Sequence, residues 1–323
     1  MKYLKYSDVA LMPTYSEVNS RLDCDPSLDL FGKKFLLPII PANMKSVINL
    51  DLSSWMSEND YFYIMHRFNN DIYAQIEQAN LQNWKTISFS VGVQDKDKTI
   101  INKLRTNKLR LDFLTIDIAH GHSIKMKRMI AFIKENLPNT KIIAGNVATP
   151  EAVKALASWG ADIVKVGIGQ GSPCTTKSKT GFTVPMFTCV QNCSGLYSGE
   201  FNGNGEEIPI IADGGVKHNG DIAKAIVAGS KMVMAGGLFA ACVDSPAVHS
   251  SVHNTFYKAY FGSASAESKG HKNNIEGKLT NIPCNNMTIE EKLREVTQDL
   301  QSSISYSGGN ALTSLYNTEY IKT

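Results

Sequence analysis

The chain has 323 residues, of which 43% are hydrophobic and 20% are charged, and a formal net charge of +3. This composition is typical of a globular protein with a large core and excludes a fibrous, disordered or disulfide-scaffold chain. The positive charge is small and scattered, and no apolar run approaches the roughly 18 residues of a membrane span. We therefore expect neither a nucleic-acid partner nor a membrane association.

The six cysteines favour a reducing, cytoplasmic setting, because a chain of this size does not need disulfides to fold. Cys189 and Cys193 are separated by three residues and lack partners at the spacing of a zinc site. The N terminus has no apolar core of signal-peptide length.

Beyond an N-terminal segment of residues 1–34, β-rich runs alternate with stretches of helical length. The eight runs are residues 35–43, 62–67, 86–92, 113–119, 141–147, 163–169, 208–215 and 231–237. Residues 71–80 and 150–160 are two of the helical stretches, and Thr149 and Pro150 suit an N-cap and a first helical position. Eight such units predict parallel strands in a (β/α)₈ TIM barrel, one α/β domain over residues 1–323, rather than a doubly wound sheet.

Two long connections interrupt the regular spacing of the runs. The first, residues 170–200, follows the sixth run and surrounds Cys174. The second, residues 238–287, is rich in Ser, His, Asn and Gly and predicts a mobile loop or flap. In the C-terminal region, residues 288–323, we expect a helix from about Thr288 to Leu300, because Thr288 and Glu291 have capping-box spacing.

The carboxyl ends of the runs carry polar residues and glycines, at the end of a barrel where active sites lie. They include Asn43, Arg67, Asp117 and Asn146. The seventh and eighth runs end in the glycine pairs Gly214-Gly215 and Gly236-Gly237, which favour a phosphate site, and Asp213 could accept hydrogen bonds from a ribose. His120 and His122 lack a nearby acidic or cysteine partner, so we do not expect a metal there.

Cys174 follows three glycines, Gly167, Gly169 and Gly171. Glycines allow the backbone to turn sharply and to approach a ligand closely. The thiol could be an exposed nucleophile or a small, partly buried side chain after a tight turn. These residues alone leave both interpretations open.

Six motifs in this order resemble the IMP dehydrogenase/GMP reductase family. They are P-A-N-M (41–44), D-I-A-H-G-H-S (117–123), G-I-G-Q-G-S-P-C-T-T-K (167–177), I-I-A-D-G-G (210–215), M-A-G-G (234–237) and N-I-E-G-K (274–278). No domain is inserted between the second and third runs, and residues 238–287 contain Glu276 but no arginine. In these respects the chain is similar to the reductase branch of the family.

The resemblance implies conversion of GMP to IMP, with NADPH as hydride donor, release of ammonia and a covalent thioimidate at Cys174. Thr176 and Glu276 would move protons, and the protein would be a homotetramer. Two alternatives stay open at this point: an IMP dehydrogenase that lacks the regulatory insert, and a purine-nucleotide-binding protein without turnover.

The resemblance also implies which residues contact each ligand. GMP would contact Ser172, Asp213, Gly214, Gly215, Gly236, Gly237, Gly262, Ser263, Ala264, Asn273 and Gly277. NADPH would contact Arg67, Asp117, Ile118, Ala119, Ile168 and Gly169, and Ser20, Arg21, Ser302, Ser303 and Ser305 of a neighbouring subunit. Carbonyl groups of Gly169, Gly171 and Cys174 would match a monovalent-cation site for K⁺.

Overall fold

The computed structural model describes residues 3–68, 71–195, 208–252, 255–270 and 273–323. A seven-stranded parallel sheet lies at its centre, in the order β4-β10-β9-β8-β7-β6-β5. Three short N-terminal strands precede it: β1 (Val9–Leu11), β2 (Leu28–Leu30) and β3 (Lys33–Phe35). The sheet strands are β4 (Ile39–Pro41), β5 (Ser88–Val91), β6 (Phe113–Asp117), β7 (Lys141–Val147), β8 (Ile163–Val166), β9 (Ile210–Asp213) and β10 (Met232–Ala235).

The first and last strands of this sheet are neighbours, since β4 pairs in parallel with β10 through Ile39 and Val233. An open doubly wound sheet does not bring its first and last strands together in this way, whereas a cylinder must. The strands are rich in apolar residues and largely buried on both faces, as parallel strands covered by helices are. The structure thus has the TIM-barrel-like α/β architecture that the alternation predicts.

The second predicted strand, residues 62–67, does not form a regular strand. It has a single isolated bridge, between Met65 and Phe89. The backbone N–H of Met65 donates to the carbonyl of Ser88 (3.0 Å), but the Met65 carbonyl accepts from the Ser90 hydroxyl (2.6 Å). A side chain therefore occupies an acceptor that a ladder would use. Among the described residues the parallel sheet contains seven strands, where eight were expected.

Helices follow the sheet strands and cover the sheet, as expected from the polar–apolar stretches. They are α1 (Leu50–Glu58), α2 (Ile72–Leu81), α3 (Asp95–Thr106), α4 (Ile124–Asn136), α5 (Pro150–Trp159), α6 (Thr176–Thr180), α7 (Met186–Cys193), α8 (Gly220–Val227), α9 (Gly237–Ala240), α10 (Ala266–Lys269) and α11 (Ile289–Tyr306). Short 3₁₀ helices span Tyr6–Asp8, Arg21–Asp23 and Leu312–Asn317. None of the helices within the described ranges is both long and apolar enough to cross a bilayer.

Two predicted helix starts are confirmed with their caps. The Thr149 hydroxyl accepts from the Ala152 N–H (3.3 Å), and Pro150 occupies the first turn of α5. Thr288 and Glu291 form the expected capping box of α11. That helix runs six residues beyond the predicted end at Leu300, since its apolar face, including Ile304, continues into the core.

Residues 238–287, predicted as a mobile loop or flap, contain regular secondary structure within the described ranges. An antiparallel sheet joins β11 (His249–Val252), β12 (Thr255–Phe261) and β13 (Leu279–Pro283). The aromatic residues of β12 are typical of a strand. The polar composition around them outweighed that signal in the sequence analysis.

The hairpin of β2 and β3 covers the amino ends of the sheet strands, opposite the candidate site, since Phe31 packs against Phe113 and Lys141, the first residues of β6 and β7. β2 and β3 form a hairpin whose two-residue turn, Phe31-Gly32, has positive φ at both positions (54° and 78°). Phe35 packs edge-on against Phe62 (5.1 Å), and Phe62 packs edge-on against Phe113 (5.0 Å). The final strand, β14 (Tyr320–Lys322), pairs with β1. The carboxyl ends of the strands stay available for a ligand.

Candidate active site

The glycines after β8 turn the chain from the barrel into the Cys174 loop, residues 167–175 between β8 and α6. Gly167 has φ +135°, and a Cβ there would lie 2.1 Å from the carbonyl oxygen of Asp213. Gly169 has φ +73°. Only glycine tolerates both the close approach and the positive φ at Gly167. The loop is thereby fixed against the end of β9, and Cys174 follows, half-buried, before α6.

Cys174, Thr176 and Glu276 form a continuous hydrogen-bond chain. The Cys174 Sγ lies 3.2 Å from Thr176 Oγ1, which donates to Glu276 Oε2 at 2.6 Å. Thr176 and Glu276 are 100 residues apart in sequence. The structure therefore brings together all three residues that the sequence analysis predicted as catalytic.

The backbone holds Glu276 beside the Cys174 loop. Cys174 and Gly277 form an antiparallel bridge, the Thr175 N–H donates to the Glu276 carbonyl (2.8 Å), and the Lys278 N–H donates to the Pro173 carbonyl (2.9 Å). A Cβ on Gly277 would lie 2.8 Å from the backbone nitrogen of Ser265, which explains the glycine next to the glutamate. This pairing between the Cys174 loop and residues 276–278 fixes the backbone of Glu276, and so limits where its carboxylate can lie.

A buried ion network lies at the strand ends beneath this loop. Lys165, on β8, is 2% exposed; its Nζ lies 2.6 Å from Asp213 Oδ2 and 3.3 Å from Asp117 Oδ1. Asn146 donates to the same Asp213 oxygen and to the Gly167 carbonyl, both at 2.8 Å. Arg67 Nε donates to the Asp117 carbonyl (3.0 Å).

These contacts shift the pKa values of the buried pair in opposite directions. Burial alone would raise the pKa of Asp117, but the cations of Lys165 and Arg67 outweigh it and lower that pKa. Burial would lower the pKa of Lys165, but Asp213 and Asp117 raise it. Both groups are therefore held in their charged forms. Sequence analysis missed Lys165, although a lysine inside the apolar run V-K-V was a signal for it.

The predicted phosphate and ribose residues lie on adjacent strand ends, because β9 and β10 pair directly. Gly214 and Gly215 have φ of +98° and +81°, a turn that glycines favour. A Cβ on Gly236 would lie 2.1 Å from the hydroxyl oxygen of Tyr260. Gly237 starts α9, and Ser172 is exposed on the Cys174 loop. Tyr260, buried on β12, is a further residue at this site that sequence analysis missed.

The residues predicted around the base lie on two segments that meet at Glu276. The Glu276 N–H donates to the Ala264 carbonyl (3.1 Å), which joins the turn holding Gly262, Ser263 and Ala264 to Glu276. A Cβ on Gly262 would be 3.5 Å from the Pro173 ring. Asn273 lies in the turn that precedes Glu276.

The predicted cofactor residues fall into two groups. Ile118 and Ala119 continue from Asp117 toward solvent, beside Arg67, and Ile168 lies in the Cys174 loop with its carbonyl bound by Thr183 (2.9 Å). In the second group, Arg21 contacts Ser302 (3.3 Å) and Tyr306 (3.1 Å), and Ser20 caps the short helix that begins at Arg21. Ser303 and Ser305 are half-buried on the same helix, α11.

A cavity of about 500 Å³ lies beside the Cys174 loop, lined by Gly169, Gly171 and Cys174 among others. The same cavity is lined by four lysines, and the Gly171 carbonyl already accepts the Cys174 N–H (3.0 Å). Ammonium groups repel a monovalent cation, so these surroundings do not fit the K⁺ predicted on the three carbonyls. Within the described ranges no three His, Cys, Asp or Glu side chains cluster as metal ligands would.

Comparison with known proteins gives a consistent result over the whole chain. The model of the IMP dehydrogenase / GMP reductase domain matches residues 3–323. The chain is 43% identical to the GMP reductase of Leptothrix cholodnii and 45% identical to that of Staphylococcus carnosus, in each case over 323 residues that cover 99% of this chain and 96% of the relative. It is 44% identical, with the same coverage, to the GMP reductase of Staphylococcus aureus. The chain belongs to the IMP dehydrogenase/GMP reductase family.

Proposed function

We propose that the protein is a GMP reductase, which converts GMP to IMP and ammonia with NADPH as the reductant. Curated relatives of that name, similar over almost the full length, support the proposal. The observation that carries it is the hydrogen-bond chain from Cys174 through Thr176 to Glu276. A nucleophile, a hydroxyl relay and a carboxylate are the groups that replacement of an amino group on a purine ring requires.

The reaction starts with addition of the Cys174 thiolate to C2 of the guanine ring. A C–S bond forms, C2 becomes tetrahedral, and the C2 amino group then leaves as ammonia, which restores a C=N bond in a thioimidate. When bound, the reduced nicotinamide supplies a hydride for C2. The C–S bond then breaks, the thiolate of Cys174 is released, and IMP remains. Dividing one substitution into two steps lowers each barrier.

Thr176 and Glu276 supply the proton that the departing amino group needs. The 2.6 Å contact between their oxygens is short enough for direct proton transfer, and Thr176 lies within hydrogen-bond distance of the Cys174 sulfur. Glu276 can therefore exchange protons with the reacting centre through one hydroxyl group. The backbone pairing of Gly277 with Cys174 keeps this path in place.

The strand ends would hold the nucleotide so that C2 faces Cys174. The phosphate would be bound by backbone N–H groups of Gly215, Gly236 and Gly237, with the Ser172 hydroxyl, and the ribose by Asp213. Lys165 and Asn146 fix the Asp213 carboxylate from below. The segments that contain Gly262–Ala264 and Asn273–Gly277 would flank the base.

The residues present also fit a reduced nicotinamide dinucleotide. Ala119 is exposed and Ile118 partly exposed at the end of β6, beside the Arg67 guanidinium, a cation suited to an anionic cofactor. We place the reactive ring between this rim and Ile168–Gly169. The second group, Ser20, Arg21, Ser302, Ser303 and Ser305, would reach the cofactor of a neighbouring subunit.

A homotetramer would explain the apolar surface around that second group. Leu22 is 79% exposed and Tyr306 57% exposed, on either side of Arg21. All six cysteines are free thiols, which suits a reducing cytoplasm.

We further propose that residues 62–67 occupy the position of the eighth strand and close the barrel between β4 and β5.

The test is the nicotinamide absorbance of NADPH mixed with the protein and GMP. A decrease that requires GMP and yields one ammonia per NADPH is expected. Folded protein that leaves NADPH unchanged with GMP, but reduces NAD⁺ with IMP, would instead indicate an IMP dehydrogenase. Tight GMP binding without either reaction would indicate a nucleotide-binding protein without turnover.

A further inference from the structure

The cavity beside the Cys174 loop has three walls from separate parts of the chain. Lys5 and Tyr6 come from the N-terminal segment, residues 169–178 from the Cys174 loop and α6, and residues 215–224 from the end of β9 through α8. Its volume of about 500 Å³ lies within the range of roughly 300–1,000 Å³ that small-molecule sites occupy. It is therefore large enough for a ligand of its own.

The side chains around this cavity carry an excess of positive charge. Lys5, Lys177, Lys217 and Lys224 line it. Within the part of the chain that the structure describes, no carboxylate lies within ion-pair distance of Lys5, Lys177 or Lys217. Three of the lysines that line the cavity thus have no anionic partner among the described residues.

Asp221 is the one carboxylate among the described residues of the lining, and it is already engaged. Its Oδ2 accepts from the backbone N–H groups of Lys217 (2.9 Å) and His218 (3.1 Å). Its Oδ1 lies 3.6 Å from the Nζ of Lys224, which also donates to the Tyr6 carbonyl (2.9 Å). Asp221 therefore orders this wall and leaves the positive charge of the other lysines uncompensated.

Tyr6 adds a second, independent feature. Its side chain lines the cavity, is 2% exposed, and its hydroxyl group has no hydrogen-bond partner among the described residues. A buried hydroxyl without a partner is uncommon, because its desolvation is not compensated. Burial also raises its pKa, so the group stays protonated and can donate.

The cavity differs from the site proposed for the GMP phosphate. Of the four residues assigned to that phosphate, Gly215 lines the cavity, whereas Ser172, Gly236 and Gly237 do not. Lys5 lies in the N-terminal segment, Lys177 on α6, Lys217 in the β9–α8 turn and Lys224 on α8, and none of them belongs to the assigned phosphate group.

We propose that this cavity binds a second, multiply charged anion, the oligophosphate group of a small ligand, and that its occupation fixes the Cys174 loop. The ligand would join the N-terminal segment to the loop, because Lys5 lies on one side and Lys177 on the other. Only the consequence for turnover rests on the proposed reductase function. The binding itself does not.

The test is calorimetric titration of the full chain with inorganic pyrophosphate, in the presence and absence of saturating GMP. Losing charge-assisted hydrogen bonds should weaken binding about tenfold in the double variant Lys5→Met/Lys217→Met. The control, Lys96→Met/Lys125→Met, removes the same charge from exposed lysines elsewhere and should bind as the wild type does. GMP should not displace pyrophosphate.

Equal binding by the two double variants, or displacement of pyrophosphate by GMP, would overturn the proposal. Titration with cytidine triphosphate shows whether a nucleoside adds affinity over pyrophosphate alone, which separates a nucleotide from a free oligophosphate. As a second readout, pyrophosphate should slow alkylation of Cys174 by iodoacetamide in the wild type and not in Lys5→Met/Lys217→Met. Neither measurement uses turnover, so an inactive protein would still give a result.

Discussion

Replacing Lys165 with methionine should be among the most destabilising single changes in the molecule. The side chain keeps its approximate volume, but the buried Asp117 and the partly buried Asp213 lose their common cation. At an effective dielectric constant of about 20, Coulomb's law gives attractions of about 6 kcal/mol to Asp213 at 2.6 Å and about 5 kcal/mol to Asp117 at 3.3 Å. Desolvation offsets much of this, and we expect a loss of about 3–5 kcal/mol in the free energy of unfolding.

The assay is urea denaturation, with Lys34→Met as the matched control. Lys34 pairs with Asp25 at 3.3 Å, but their side chains are 66% and 56% exposed. An exposed pair contributes at most about 1 kcal/mol. If Lys165→Met costs no more than the control, the buried network does not stabilise the fold as we argue.

The pH dependence of the same variant tests the cause. In the wild type the pKa of Asp117 is lowered from 3.8 and that of Lys165 raised from 10.5, so their contribution is complete between these values. Without Lys165 the buried Asp117 carboxylate gains a proton at a higher pH than in the wild type. The loss should therefore shrink as the pH falls from 8 to 5, and adding Asp117→Asn and Asp213→Asn should recover part of it. A loss that does not change with pH would contradict this explanation.

Three further predictions concern the loop, the catalytic chain and acid stability. Thr176→Val should slow ammonia release roughly 10²-fold or more in rapid-quench measurements, and should slow hydride transfer less. Thr175→Val removes a buried hydroxyl that has no partner among the described residues, and it should leave both rates unchanged. Equal rates in the two variants would contradict the relay through Thr176. Gly167→Ala, in which the new Cβ would lie 2.1 Å from the Asp213 carbonyl oxygen, should lower the melting temperature far more than Gly181→Ala. Gly181 also has positive φ, but a Cβ there meets none of the described residues within 4 Å, and similar losses would contradict that reasoning. Burial and the nearby Lys45 lower the pKa of His66 from 6.5 to about 4, so the unfolded chain binds a proton first. The free energy of unfolding should fall by about 3 kcal/mol between these pH values, and His66→Gln should lose that dependence in urea titrations.

Much of this fold could be predicted because the strands and the helix starts of a barrel are marked by short segments of the sequence. Each strand is a continuous apolar run, and Thr149, Pro150, Thr288 and Glu291 mark helix starts by short-range chemistry. The catalytic trio was predicted from motifs, and the structure places the three side chains in contact. These features need no knowledge of which strands are neighbours.

The missed features depend on contacts between distant residues. The run V-K-V marks Lys165 as a lysine within a buried strand, but its partners Asp117 and Asp213 come from β6 and β9, which the local sequence does not identify. Residues 62–67 have the composition of a strand, but the Ser90 hydroxyl takes a carbonyl that the ladder would use. The aromatic residues of β12 were outweighed by polar neighbours, although Tyr260 packs against Gly236.

Covalent chemistry at Cys174 is the central claim, and turnover of Cys174→Ala tests it most directly. The measurement is the rate of GMP-dependent NADPH oxidation, made on folded protein whose GMP binding has been verified by calorimetry. We expect GMP to bind as in the wild type and the rate to fall to the background without enzyme. A rate near that of the wild type would show that the sulfur forms no bond to the substrate and would contradict the proposed mechanism.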